Sequence, residues 1–157
     1  MATYLVTGGA GFIGSHLAEA LADGGGAVRV FDNLATGHRE NLDPVRGRHT
    51  WIEADVRDAG ALALAMKGVD YVFHEAAMVS VPLSVERPRE CHEVNATGTL
   101  NVLEAARAAG VKRVVMAATA AAYGNNPDLP KRESMRPEPE SPYGLTKVCG
   151  EYYLQAF

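Results

Sequence analysis

Cysteine is scarce and unpatterned here: Cys91 and Cys149 stand alone, without ligand-type or redox-type spacing. That argues against a disulfide scaffold or a thiolate metal site, and it suits a reducing compartment. The histidines (His16, His38, His49, His74 and His92) show no metal-ligand spacing either and are read as structural or solvent-facing. No apolar run reaches the length that crosses a bilayer. Met1 to Gly14 lacks the basic head and long apolar stretch of a secretion signal. Basic clusters are missing too, and a net charge of −4 argues against nucleic acid as a partner. The absences point to a soluble, cytoplasmic protein. With 157 residues and an ordinary apolar fraction, the chain fits one domain, 1–157, with a real core.

What is present is an alternation of short β-rich runs and helical patterns, the mark of an α/β fold with a doubly wound parallel sheet. Strands are expected at 4–6, 27–31, 50–53, 71–74 and 111–117. Helices are expected at 12–22, 59–66, 88–109 and from Pro142 to the end, with Ser141 as N-cap. The stretch 124–142 holds five prolines and reads as loop. In the 88–109 helix, Val94, Gly98, Val102, Ala105 and Ala109 form one apolar stripe, with Leu100 and Leu103 off it. The last helix carries a second stripe of Leu145, Val148, Cys149, Tyr152 and Ala156. These spare faces either meet a partner subunit or pack on the same chain.

Thr7-Gly-Gly-Ala-Gly-Phe-Ile-Gly14 follows an expected strand and opens an expected helix, the context that a dinucleotide fingerprint requires. Gly8 permits the tight turn, Gly11 lets backbone approach a pyrophosphate, and Gly14 allows close helix–strand packing. The helix N-terminus adds free N–H groups and a positive dipole. Asp32 closes the second strand, where a carboxylate accepts ribose hydroxyls and repels a 2′-phosphate; alone it could equally be a turn former. With the glycine turn it favours NAD over NADP, and Arg39 stands too far along to reverse that. Asp55-Val56 is placed to meet an adenine, and the small Ala76-Ala77 to let a dinucleotide pass, though each pair could be plain loop or packing.

Tyr143 and Lys147, four apart at a helix start, share a face. A free tyrosine ionises near pH 10, too high for a base at neutral pH. A neighbouring ammonium and a cationic nicotinamide both favour the phenolate. A shift of ~3 units would need about 4 kcal/mol, which two cations in a dry site can supply. Thr119, after the fifth strand, has a hydroxyl able to meet the reacting oxygen; it could also simply close the strand.

Taken together these residues resemble the extended short-chain dehydrogenase/reductases, and among them the nucleotide-sugar 4-epimerases. The matching text is Val6–Leu17, Asp32-Asn-Leu-Ala-Thr-Gly37, His74-Glu-Ala-Ala77, Asn95–Val102, Tyr123-Gly124 and Ser141–Lys147. The resemblance implies a Rossmann-type domain that holds NAD as a tightly bound group. Phe12 and Ile13 would contact the pyrophosphate, Asn33, Thr36 and Gly37 would belong to the cofactor site, and Asn95 would stand behind the nicotinamide. Tyr143 would take the proton of a UDP-sugar 4-hydroxyl as hydride leaves C4, and the 4-keto sugar would turn over before hydride returns. Lys147 would bind the nicotinamide ribose, and Thr119 the sugar oxygen. A homodimer through the 88–109 and 142–157 helices is implied as well.

Within the family, 4,6-dehydratases carry an Asp-Glu pair after the threonine, and decarboxylating relatives a glutamate; Ala120 and Ala121 stand there and offer no acid. The Ser80–Val85 run resembles the branch that also takes N-acetylated UDP-sugars. Ala118-Thr119 replaces the usual serine pair. Family members continue into further strands and a substrate lobe, which are expected to be missing here. That favours a 4-epimerase seen in its N-terminal part, the alternatives being a truncated module that binds NAD and turns nothing over, or a nucleotide-sugar dehydratase or reductase of the same family. It would also leave the fifth strand as an apolar edge for another chain to cover.

Overall fold

The computed structural model describes residues Met1–Phe157. Five parallel strands form one sheet in the order β3-β2-β1-β4-β5: β1 Thr3–Thr7, β2 Ala27–Asp32, β3 His49–Glu53, β4 Tyr71–His74 and β5 Arg113–Met116. The chain winds outward from β1 in one direction to β3, returns, and continues through β4 to β5. The doubly wound reading is thus correct, and the topological switch point lies between β1 and β4, where α/β sheets place ligands. The helices are α1 Phe12–Asp23, α2 Ala59–Ala65, α3 Val81–Glu86, α4 Pro88–His92, α5 Gly98–Ala109 and α6 Pro142–Ala156.

Because side chains alternate along a strand, each strand feeds both faces of the sheet. Leu5, Phe31 and Val72 point to one side, where Leu62, Met66, Val102 and Ala106 of the α2/α5 layer cover them. Val6, Val28 and Val30 point to the other, against Ala18 of α1 and Leu42 and Val45 of a 3-10 helix at Arg39–Val45. On that second side the cover stops short. Tyr4 stacks on Tyr71 with ring centroids 5.5 Å apart and tilts against Phe73 at 6.4 Å. Together with the exposed Val115 they form an open apolar face across β1, β4 and β5.

Four details depart from the sequence expectations. The fifth strand is shorter than 111–117, because Gly110 caps α5 in a left-handed conformation and Val111 N–H is spent on Ala106 carbonyl. The 88–109 helix is divided: a π-helical turn at Glu93–Thr97 separates α4 from α5. A short helix, α3, arises inside the Ser80–Val85 run, N-capped by Ser80, whose Oγ accepts from Leu83 N–H. The Arg39–Val45 3-10 helix is also additional. Of the two spare stripes, Val148 and Leu103 turn inward and are buried, whereas Leu145 and Tyr152 remain 60% and 57% exposed.

Candidate functional site

The glycine turn runs from the end of β1 into α1. Gly8 has a positive φ of 67°, and a Cβ there would lie 2.5 Å from the Ala76 nitrogen. A Cβ at Gly14 would lie 2.2 Å from Gly8 carbonyl oxygen. Both glycines are therefore demanded by the protein's own packing. Gly11 differs: its virtual Cβ meets only Gly8 carbonyl oxygen, at 3.2 Å. That single contact is tight but far milder than those at Gly8 and Gly14, so the chain's own packing restricts this position least, and a bare backbone here also suits close approach by a phosphate. Gly11 is also the N-cap of α1 and offers no side chain to its N–H groups. Phe12 and Ile13, 80% and 58% exposed, leave that helix end open.

Asp32 is buried, its Oδ2 accepting from Ala10 N–H at 2.9 Å and its Oδ1 from Leu34 N–H at 2.8 Å. Each oxygen retains a second lone-pair direction. Leu34 adopts a left-handed φ of 57°, so the turn beyond Asp32 holds a strained non-glycine residue. Gly37 is pressed against the glycine turn, a Cβ there falling 2.9 Å from the Ala10 carbonyl carbon, while Thr36 is exposed beside it. Ala10 carbonyl accepts from His38 N–H at 3.0 Å and from Asn41 Nδ2 at 2.8 Å. Asn41, missed from sequence, thus ties this loop to the turn. Arg39 stacks over Trp51, its guanidinium 4.7 Å from the ring centre and so engaged elsewhere.

Asp55 is fully committed. It accepts from Arg57 N, Nε and Nη2 and from Asn33 Nδ2 at 2.7–2.9 Å, and the Arg57 hydrogen bonds lower its pKa to about 2. Val56 turns into the core, pressed on Gly98, and its carbonyl accepts from Asn101 Nδ2 at 3.1 Å. Ala76 abuts Gly8, and its N–H reaches Thr7 Oγ1 at 3.4 Å; Ala77 follows, half-buried.

A buried hydrogen-bond chain passes behind these loops. Thr99 Oγ1 donates to Asn95 carbonyl at 2.6 Å, so it accepts from His74 Nε2, 2.9 Å away. His74 Nδ1 must then accept from Thr7 Oγ1 at 2.7 Å. Burial first, then the charge of Lys147, lowers the His74 pKa to about 3, and the ring is neutral. Asn95 continues the chain from the π turn: Oδ1 accepts from Met78 N–H at 2.8 Å, and Nδ2 faces Met78 carbonyl and Thr146 Oγ1, each at 3.1 Å. Thr146 in turn donates to Tyr143 carbonyl at 2.9 Å. Asn95 is thus a staple between the loop after β4 and α6.

At α6, Lys147 is only 5% exposed and pairs with no carboxylate. Burial lowers its pKa, and Glu75 and Glu151 counter only from a distance. The Lys147 ammonium is not itself sealed from solvent, and hydroxyl acceptors from a bound ribose would satisfy it. Tyr143 sits one turn earlier. Thr119 N-caps the 3-10 helix Ala120–Tyr123, its Oγ1 accepting from Ala121 N–H at 3.2 Å, which leaves its own O–H to donate. The first turn of α6 rests on that 3-10 helix: a Cβ at Gly144 would fall 2.8 Å from Ala121 carbonyl oxygen. Packing therefore brings Thr119, Tyr143 and Lys147 to one end of the sheet, the end that carries the glycine turn.

The model of the NAD dependent epimerase/dehydratase family matches residues 4–157. A UDP-glucose 4-epimerase from Mycolicibacterium smegmatis is 42% identical over 158 aligned residues, covering 98% of this chain and 50% of the relative. A solved UDP-N-acetylglucosamine 4-epimerase from Methanobrevibacter ruminantium M1, in complex with UDP-N-acetylmuramic acid, superposes with a TM-score of 0.94 at 41% identity, over 99% of this chain and 50% of that one. A dTDP-glucose 4,6-dehydratase from Streptomyces venezuelae with NAD bound does so at 0.93 and 39%, over 98% and 51%. The chain spans about half the length of these proteins.

Proposed function

The chain belongs to the NAD dependent epimerase/dehydratase family, and we propose that it binds NAD and carries the acid–base residues for epimerising a UDP-sugar at C4. The observation that carries this reading is Lys147: buried, unpaired and one helical turn from Tyr143. Gly11, the open end of α1 and the two oxygens of Asp32 would take the pyrophosphate and the adenosine ribose. Phe12, Ile13, Asn33, Thr36, Gly37, Asp55, Val56, Ala76 and Ala77 would line the same path. Asp55, already saturated by Arg57 and Asn33, has the weakest case for a direct adenine contact.

When bound, NAD supplies a hydride acceptor and, once reduced, a donor. Lys147 would donate hydrogen bonds to the ribose hydroxyls and set its charge near the tyrosine face. Tyr143 holds and returns the proton of the sugar 4-hydroxyl at its phenol oxygen. Thr119 donates its free O–H to the same sugar oxygen. Asn95 acts behind the nicotinamide end as the staple already described.

The UDP-sugar is glucose/galactose or the N-acetylated pair. Epimerisation is favoured over dehydration because Ala120 and Ala121 supply no acid beside Thr119. A second reading is an NAD-binding module without turnover. A homodimer through the 88–109 and 142–157 helices, in the cytoplasm, completes the proposal. The test is to saturate the chain with NAD, confirm binding by titration calorimetry, and incubate it with UDP-glucose and UDP-N-acetylglucosamine. Formation of the 4-epimer supports the first reading, binding without product leaves the second, and failure to bind NAD defeats both.

A further inference from the structure

The first turn of an α-helix carries N–H groups that have no partner inside the helix. In α6, Pro142 has no N–H to satisfy. Ser141 serves the next two needs locally: its Oγ accepts from Gly144 N–H at 3.1 Å and its carbonyl from Leu145 N–H at 2.9 Å. The one N–H left over is that of Tyr143. It donates to Oγ of Ser84 at 3.2 Å, across 59 residues of sequence. The helix caps itself everywhere except at the residue on which the chemistry depends.

Ser84 is built for this contact. It is fully buried, and its hydroxyl proton is committed to Val81 carbonyl at 2.7 Å, so that a lone pair faces Tyr143. Its own N–H donates to Ser80 carbonyl at 2.9 Å, and Pro82 stiffens the first turn of α3. Immediately upstream lies Met78, both of whose backbone polar groups are held by Asn95, and before it Ala76-Ala77, of which Ala76 abuts the glycine turn. A short rigid element thus joins the floor of the dinucleotide path to the backbone of Tyr143. Thr146 holds the carbonyl of the same residue. With both backbone groups clamped, the position of the phenol follows from the clamp.

We propose that Ser84 is a positioning residue that acts through the backbone of Tyr143 and sets where its phenol stands relative to the Ala76-Ala77 floor. The importance of this rests on reading Tyr143 as the acid–base group. The contact itself does not, and the experiment keeps the two apart. The full chain, labelled with ring-13C tyrosine and saturated with NAD, gives six tyrosine ring signals, and Tyr143→Phe identifies that of Tyr143. Ser84→Ala is expected to move the Tyr143 ring signal and to speed exchange of the Tyr143 amide at least tenfold. The rings of Tyr4, Tyr71, Tyr123, Tyr152 and Tyr153 and the amides of Val148 and Gly150 should stay in place. Ser84→Thr, which keeps the hydroxyl, should restore the Tyr143 signals. Should Ser84→Ala not fold, Ser84→Cys, a weaker acceptor of similar size, reads the same amide. An unchanged Tyr143 ring and amide in the folded variant overturns the proposal, as does a uniform loosening of α6. Turnover that survives Tyr143→Phe would instead defeat the acid–base reading while these signals still report on Ser84.

Discussion

At the scale of single residues, the two outer glycines of the turn and the one between them answer to different masters, and substitution separates them. Gly14→Ala drives a methyl into the Gly8 carbonyl oxygen, and the expected cost is about 3 kcal/mol of folding stability, read as a lowered denaturant midpoint. Gly11→Ala meets only the Gly8 carbonyl oxygen, at 3.2 Å, a milder contact, so the stability loss should be only about 1 kcal/mol. NAD affinity, by calorimetry, should fall about tenfold, which is ~1.4 kcal/mol. Equal losses of stability in both variants would contradict this division. His74 governs a pH window. Its pKa falls from 6.5 to about 3 on folding, through burial and then Lys147. The unfolded chain therefore binds the extra proton first. Stability should drop as pH falls below 6.5, by at most about 1.4 kcal/mol per pH unit, with no contribution above it. Asp55, depressed from 3.8 to about 2, adds its own loss only in more acid solution. Urea midpoints between pH 6.5 and 4.5 read the histidine against the opposing contribution of Glu75, whose pKa is raised by burial, and His74→Gln should be less stable but lose the fall in stability across that range.

At the scale of elements, what the sequence made legible and what it hid follow from the range of the forces involved. The strands and α1 declare themselves through local patterning, and the glycine turn through steric needs written in adjacent residues. Helix α6 is equally plain, because Ser141-Pro142 is a local cap. The hidden parts depend on contacts distant in sequence. Nothing local in Ser80–Val85 says that Ser84 meets Tyr143, and nothing in Asn95-Ala-Thr says that the helix opens into a π turn to aim an amide at Met78 and Thr146. Asn41 was hidden for the same reason, since its partner is Ala10. The staple can be tested directly. Asn95→Asp keeps the acceptor for Met78 N–H but sets a carboxylate against Met78 carbonyl and Thr146 Oγ1. The expected penalty is about 3 kcal/mol. Amides of the loop after β4 should exchange faster, and wild-type stability in this variant would remove the staple from the account.

At the scale of the whole molecule, Leu145 and Tyr152 on α6 lie outward and have no cover within the chain. If the proposed homodimer forms there, the chain should sediment as twice its 16.7 kDa mass, and Leu145→Glu with Tyr152→Glu should give a monomer of unchanged circular dichroism. A wild-type monomer at micromolar concentration would exclude it. The place of β1 in the sheet has a different outcome, one of timing. Its register partners on β4, such as Tyr71 opposite Tyr4, come 67 residues later, and the Gly8 turn takes its shape only against Ala76. A nascent chain leaving the ribosome thus displays its glycine fingerprint long before the surface that packs against it exists. The turn on which the proposed pyrophosphate site rests therefore gains its packing against Ala76 only after the chain has been made past the loop after β4.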